Sequence, residues 1–394
     1  MTKPLKAVLV GAGGYGQTYA RYFLADGEKD LELVAVVDPL FEYAPDRDAL
    51  KKLCPVYNSL EDFFATGEKV DLTIVSSPLH VHFQQSLEAL ENGSHVLCEK
   101  PLVPTIQQLN QLEIKAAEVG KTLSVGFQLC YLDVVQQLKK RIQSGEFGKI
   151  LDCKILVSWP REHAYYARSR WAGRITSDDG LVVNDSVITN ATSHYIQNLM
   201  YLLGKTTEES APFDNITIET YRANDIESFD TCVCRGESDG IPVLYAGSHA
   251  VNYKIGPLMH FSFEKAKVEF NIIEGDAQCA IYYKDGQVET PENILTYGAD
   301  DKLDFIANSI RTGAPLTCTG KTVRSVTAFF EAMFNEITIH NFPEELITID
   351  NSWGGKDITY VKDLHHDLTE CFDKLKLPSE LGMPWAKEPV KLSI

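Results

Sequence analysis

Near the start of the chain, Gly11-Ala12-Gly13-Gly14-Tyr15-Gly16 has the pattern G-x-G-x-x-G. That spacing suits a pyrophosphate. Gly11 permits a tight turn, Gly13 lets the backbone approach the phosphates, and Gly16 lets a helix lie close to a strand. Gly14 and Tyr15 complete the loop, and the helix that opens there turns its amide end toward negative charge. Asp38 follows, 22 residues after Gly16. A carboxylate at that place accepts hydrogen bonds from a ribose diol and repels a 2′-phosphate. Pro39, Leu40 and Phe41 bring no cation, so the residues point to NAD rather than NADP. A glycine-rich turn without a ligand is the alternative, and the agreement of loop, strand, helix and acid argues against it.

A second group, Trp159-Pro160-Arg161, Tyr165-Tyr166, Arg168 and Trp171-Ala172-Gly173-Arg174, is aromatic and basic. Sugar rings stack on aromatic faces and hydrogen-bond to arginines. Arg161, Tyr165 and Trp171 are therefore candidate substrate-binding residues. A core or interface cluster is the plain alternative for any one of them.

The first third of the chain must position the glycine loop. Its apolar runs are Leu5–Val10, Leu33–Val37, Leu72–Val75, His95–Cys98 and Thr122–Phe127. Helical stretches lie between them at Gly16–Ala25, Phe83–Glu91 and Ile106–Ala117. Short runs apolar on both faces, separated by helices, predict a parallel sheet covered on both sides. The pattern then changes. Ile150–Trp159, Ile216–Arg222, Thr231–Cys234, Pro242–Val251, Met259–Glu264, Ala266–Ile272 and Gln278–Tyr283 read as consecutive strands, with a hairpin signal at Lys284-Asp285-Gly286-Gln287. Helices are predicted at Ala191–Leu203, Lys302–Arg311 and Lys321–Ile337. The expected fold is an α/β N-terminal Rossmann domain (1–128), then an α+β substrate and oligomerisation domain on a largely antiparallel open sheet (129–340). A C-terminal extension, 341–394, is expected to pack on the body.

Composition narrows the classes. The 394 residues suit two or three domains at about 150 residues each. The hydrophobic fraction of 44% excludes a wholly disordered chain, and the net charge of −18 makes nucleic acid and anionic membrane poor partners. No apolar run reaches a membrane-spanning length of about 18 residues. Nine scattered cysteines read as reduced core residues of a cytoplasmic protein, with no spacing for a metal. His80 and His95 read as structural, and His365-His366 as surface.

Two strings carry a family resemblance: Ser77-Pro78-Leu79-His80-Val81-His82 and Gly93-Ser94-His95-Val96-Leu97-Cys98-Glu99-Lys100-Pro101. Together, and with Ser144-Gly145-Glu146-Phe147-Gly148-Lys149 at the domain junction, they resemble the Gfo/Idh/MocA oxidoreductases. That family includes glucose–fructose oxidoreductase and inositol dehydrogenases. The resemblance covers roughly residues 5–337, with Phe305–Ala314 and Arg324–Ile337 as the helices closing the second domain.

The resemblance implies an NAD(P)-dependent dehydrogenase acting on CH–OH groups, with NAD preferred. It adds Ser77, Pro78, His82, Glu99, Lys100 and Gln128 to the cofactor-binding residues. It makes Lys100 a proton relay and stabiliser of a developing oxyanion, and His194 a general base that also touches substrate. The family places an Asp four residues before that His. Here Asn190 stands there, on the same helix face as His194. Asn190 can hydrogen-bond the His194 ring or the substrate, but an amide is no base, so proton abstraction rests on His194, with Lys100 or Asp185 assisting. Gln128-Leu129-Cys130 stands where many members have Asn and Arg, which disfavours a carboxylate or phosphate substrate. The expected substrate is a carbohydrate or cyclitol, and the expected assembly a homodimer or homotetramer. Two alternatives stay open: a redox-neutral NAD-dependent glycoside hydrolase of the same fold, and a non-catalytic NAD-binding sensor.

Overall fold

The computed structural model describes residues 3–273, 276–291 and 299–394. They form two compact units, each built from two stretches of chain. The first is 1–132 with 296–324, and the second is 133–295 with 325–394. This departs from the contiguous division expected above, because the chain returns to the first unit late. The helix Ala299–Thr312, expected in the second domain, lies in the first. Its inward face explains the return: Leu303, Ile306 and Ala307 are fully buried.

In the first unit, β1 (Leu5–Val10), β2 (Leu31–Val37), β3 (Val56–Tyr57), β4 (Leu72–Val75), β5 (His95–Cys98) and β6 (Leu123–Val125) form one sheet. All pairings are parallel, in the order β3-β2-β1-β4-β5-β6. That is the doubly wound order whose ligand crevice lies at the carboxyl ends of the strands, where β1 and β4 diverge. Every residue of β4 is buried, as a strand covered on both faces requires. Helix ends obey local chemistry. Thr105 accepts the Gln108 amide at the start of Ile106–Val119, and Gly120 closes that helix in the left-handed region.

The second unit is built on ten strands. They are β7 (Ile150–Ser158), β8 (Asp214–Arg222), β9 (Thr231–Ser238), β10 (Ile241–Ser248), β11 (Ile255–Phe263), β12 (Ala266–Ile273), β13 (Asp276–Tyr283), β14 (Val288–Glu289), β15 (Ile339–Asn341) and β18 (Val390–Lys391). Among the described residues only β10–β7 and β15–β8 pair in parallel, so the sheet is largely antiparallel. The hairpin Lys284–Gln287 forms between β13 and β14.

The strand period of two divides the sheet residues between its faces. Tyr245 meets Thr192, just before the helix Ser193–Leu203, with 2.6 Å between hydroxyls. Leu244, Ala246, Leu156, Tyr221 and Val233 point the other way. They share a core with Val361, Leu364, Leu368, Cys371, Phe372 and Trp385. Residues 341–394 thus supply half of that core, through the hairpin β16 (Ile347–Trp353) and β17 (Lys356–Val361) and the helix Leu364–Lys374. All nine cysteines are buried and free. Among the described residues, no helix is long and apolar enough to cross a membrane.

Candidate active site

The glycine loop joins β1 to the helix Gly16–Leu24. Gly11 has φ +84°, and a Cβ there would lie 2.7 Å from the Ser76 carbonyl oxygen at the end of the neighbouring β4. A Cβ at Gly16 would collide with the Gly11 carbonyl oxygen. Both positions therefore require glycine. Gly13 differs, since no atom lies within 4 Å of where its Cβ would be. Space beside the backbone is what a pyrophosphate needs, and the residues fit a dinucleotide on this ground. Gly14 and Tyr15 are exposed on the same loop, and no side chain caps the helix start. Asp38 ends β2 and locks onto the loop: Oδ2 accepts the Ala12 amide at 2.9 Å and Oδ1 the Leu40 amide at 2.8 Å. The acid expected to read the ribose is thus fixed at the loop itself.

Ser77, Pro78 and His82 follow β4. The Ser77 hydroxyl donates to Gln85 Oε1 at 2.5 Å, and Pro78 is exposed. His82 is 1% exposed, with Nδ1 2.9 Å from the Pro101 carbonyl oxygen and Nε2 2.9 Å from that of Ser77. Burial lowers its pKa, although both carbonyls and Glu99 pull the other way. Its ring spans the two loops that follow β4 and β5 and braces them, rather than reaching out of the crevice.

Glu99 is buried as well. Its Oε1 accepts hydrogen bonds from the Tyr19 hydroxyl and from Lys302 Nζ at 2.9 Å, and Oε2 accepts the Lys100 amide at 3.3 Å. Burial alone would raise the Glu99 pKa; the Lys302 ammonium, helped by the Tyr19 hydroxyl, holds it below the ordinary value. A Cβ at Gly126 would strike this carboxylate at 2.5 Å, so the cluster is packed shut. Lys100, half-buried beside it, begins the cis peptide to Pro101. Gln128 opens the short turn Gln128–Tyr131 after β6, and its Oε1 is buried without a hydrogen-bond partner among the described residues.

In the second unit, the expected single helix over Ala191–Leu203 is two segments. A π-turn covers Val187–Ala191, capped by the Ser186 side chain, and an α-helix covers Ser193–Leu203. Thr192 separates them with φ −107° and ψ 3°. Asn190 and His194 therefore lie in different segments, and the regular i, i+4 relation does not hold. Such wide turns collect at functional sites. Here the widening follows from a hydroxyl: Thr192 Oγ1 donates to the Val187 carbonyl at 2.5 Å. His194 sits in the first turn of the α-helix, half-buried.

Asp185 does not stand free to act as a base. It is 2% exposed, its Oδ2 accepts the Gly173 amide at 2.5 Å, and its Oδ1 accepts Asn190 Nδ2 at 2.6 Å. It orients Asn190 and ties the 171–174 loop to the π-turn.

The aromatic–basic loop follows β7. The Arg161 guanidinium lies 4.6 Å from the Tyr165 ring and 5.4 Å from that of Trp159. Arg168 lies 3.7 Å from Tyr165 and 5.0 Å from Trp171. The three substrate residues expected on this loop, Arg161, Tyr165 and Trp171, thus belong to one stacked group. His163, 2.9 Å from the Thr359 hydroxyl, and Glu162, paired with Lys356 at 2.9 Å, hold the loop to β17. Three residues with no sequence signal complete these clusters. Lys302 and Tyr19 surround Glu99, and His249 sits behind Tyr165 with ring centroids 5.9 Å apart.

Residues 5–127 match the family described as the oxidoreductase family with an NAD-binding Rossmann fold. The D-glucoside 3-dehydrogenase of Escherichia coli (strain K12) is 31% identical over 150 residues, 38% of this chain and 42% of that enzyme. The 2,7-anhydro-N-acetylneuraminate hydratase of the same organism is 27% identical over 145 residues, 37% of each. The chain thus spans about two fifths of the length of these curated relatives. The WlbA dehydrogenase from Bordetella pertussis, solved with NADH and UDP-GlcNAcA, shares the fold across both units. Its TM-score is 0.69 at 22% identity, covering 84% of this chain and 96% of that one.

Proposed function

Because residues 5–127 match the oxidoreductase family with an NAD-binding Rossmann fold, we propose that the protein is a Gfo/Idh/MocA oxidoreductase that moves a hydride between NAD and a ring-hydroxyl carbon of a sugar, sugar derivative or cyclitol. The observation that carries this reading is the glycine loop locked to Asp38, open at Gly13 and closed at Gly11 and Gly16. A 2′-phosphate would meet the Asp38 carboxylate, which supports NAD over NADP. The relatives named as a sugar dehydrogenase and a sugar-acid hydratase support the substrate class.

Bound NAD+ supplies the hydride acceptor. The chain's own residues do the rest. The backbone at Gly13 and Gly14 receives the pyrophosphate, with Ser77, Pro78 and Gln128 beside it. Lys100 stabilises the oxygen that becomes a carbonyl, and the Glu99 carboxylate fixes the Lys100 backbone through its amide. His194 takes the hydroxyl proton, because a neutral imidazole nitrogen accepts a proton readily near neutrality. Asn190, whose amide nitrogen is held by Asp185, lines the substrate with Arg161, Tyr165 and Trp171.

The test is nicotinamide absorbance after mixing protein and NAD+ with free sugars, cyclitols and aryl glycosides. NADH should appear with a free polyol, and Lys100→Ala and His194→Ala should each lower kcat by about 10²- to 10⁴-fold. Aglycone release without NADH would instead identify the redox-neutral hydrolase. Tight NAD binding with no turnover anywhere would identify a sensor. Nine free, buried thiols suit a reducing, cytoplasmic setting. A homodimer or homotetramer is the expected assembly, read by light scattering.

A further inference from the structure

Behind the aromatic–basic loop, three buried polar atoms have no hydrogen-bond partner among the described residues: His249 Nε2, Arg161 Nε and the Tyr166 hydroxyl. Buried polar atoms are nearly always paired, so three orphans in one cluster ask for a missing partner. They gather around a common neighbour. The Tyr165 ring lies 5.9 Å from the His249 ring, 5.2 Å from the Tyr166 ring and 4.6 Å from the Arg161 guanidinium. The backbone ties them too, since the Arg161 amide donates to the His249 carbonyl at 3.3 Å.

The donor pattern says what the partner is. His249 Nδ1 lies 2.9 Å from the Trp159 carbonyl oxygen, which only accepts, so Nδ1 carries the proton. Nε2 is then a bare lone pair, on a side chain 2% exposed. Burial, then the Arg161 charge, keeps the ring neutral. A bare lone pair needs a donor. Carboxylate and phosphate oxygens have none to give at neutral pH. Arg161 Nε offers a hydrogen and needs an acceptor, and the Tyr166 hydroxyl does either. A neutral hydroxyl, of an alcohol or of water, donates and accepts at once.

We propose that His249, Arg161 and Tyr166 form a subsite for the neutral hydroxyls of a sugar or cyclitol ring, with His249 accepting a hydrogen bond from one of them. The subsite rests on the dehydrogenase reading above and narrows it. The substrate presents uncharged hydroxyls here, and a sugar acid or sugar phosphate does not place its anion at this wall. His249 and Tyr166 become specificity residues beside the stacking surface of Arg161 and Tyr165.

The experiment uses the full chain saturated with NAD+ and a panel of neutral sugars, cyclitols, uronic acids and sugar phosphates. Binding is measured by calorimetry and turnover by NADH. His249→Phe keeps a ring and removes the acceptor; His249→Gln restores a carbonyl acceptor; Tyr166→Phe removes only the orphan hydroxyl. The expected result is about tenfold weaker binding and a raised KM for the best neutral ligand in His249→Phe, with kcat less affected, and recovery in His249→Gln. Should His249→Phe not fold, Tyr166→Phe must show the same weakening on its own. Unchanged affinity in the variants, or no binding by any panel member, overturns the subsite. The two readings separate cleanly. Binding that depends on His249 without any NADH keeps the subsite and removes the dehydrogenase. NADH formation with equal KM in wild type and His249→Phe does the reverse.

Discussion

Each unit buries a polar cluster, and the two are treated in opposite ways. Around Glu99, both carboxylate oxygens are taken by Tyr19, Lys302 and the Lys100 amide, and Gly126 leaves no room for even a methyl group. Around His249, three polar atoms are left without partners among the described residues. A closed cluster fixes what stands next to it, here the Lys100 backbone. An open one has capacity reserved for a molecule the chain does not contain. Burial and charge are shared by both, so neither property separates a positioning device from a binding surface. The count of satisfied hydrogen bonds does.

The strongest way to break this contrast is Lys302→Met. It strands a buried carboxylate, which costs about 3–5 kcal/mol, and urea unfolding followed through NAD binding should show it. The pH dependence carries a sign. In the wild type the Glu99 pKa is lowered, so its contribution is present above the ordinary carboxylate value and fades as pH falls through the folded value. In Lys302→Met, burial is left to raise it, so the gap between variant and wild type should narrow on going from pH 7 to pH 4. A constant gap would sink the ion-pair account. A gentler comparison takes the two buried tyrosines. Tyr19→Phe removes a hydrogen bond to a charged group and should cost about 1.5–3 kcal/mol. Tyr166→Phe removes an orphan hydroxyl and should change stability by less than about 0.5 kcal/mol in either direction. Equal losses at the two positions would erase the distinction between closed and open clusters.

Much of the first unit was legible because its code is local. Leu5–Val10, Leu72–Val75 and His95–Cys98 are strands with the ends expected from their apolar runs. The edge strand Val56–Tyr57 escaped, since two half-buried residues make no run. In the second unit seven of the ten sheet strands were found with ends shifted by a few residues, and the short strands Val288–Glu289, Ile339–Asn341 and Val390–Lys391 were not. The hairpin Ile347–Trp353 with Lys356–Val361 and the helix Leu364–Lys374 were not seen, because prolines around them masked the pattern. The π-turn was hidden for another reason. A hydroxyl side chain at Thr192 bends the chain, and periodicity does not register a single inserted residue. Glycine loop, Asp38 and aromatic loop were readable as motifs. Lys302 and His249 were not, because each acquires its meaning from a residue far away in the chain: Glu99 for one, Trp159 for the other.

The late return of the chain to its first unit also sets a clock on the ribosome. Glu99 and Lys302 are 203 residues apart. At synthesis rates of about 5–20 residues per second, the carboxylate waits roughly 10–40 s for its ammonium. The second unit waits for Leu364, Phe372 and Trp385 to cover its sheet. A growing chain therefore carries two unfinished cores at once, the first completed at residue 324 and the second only by residues 325–394.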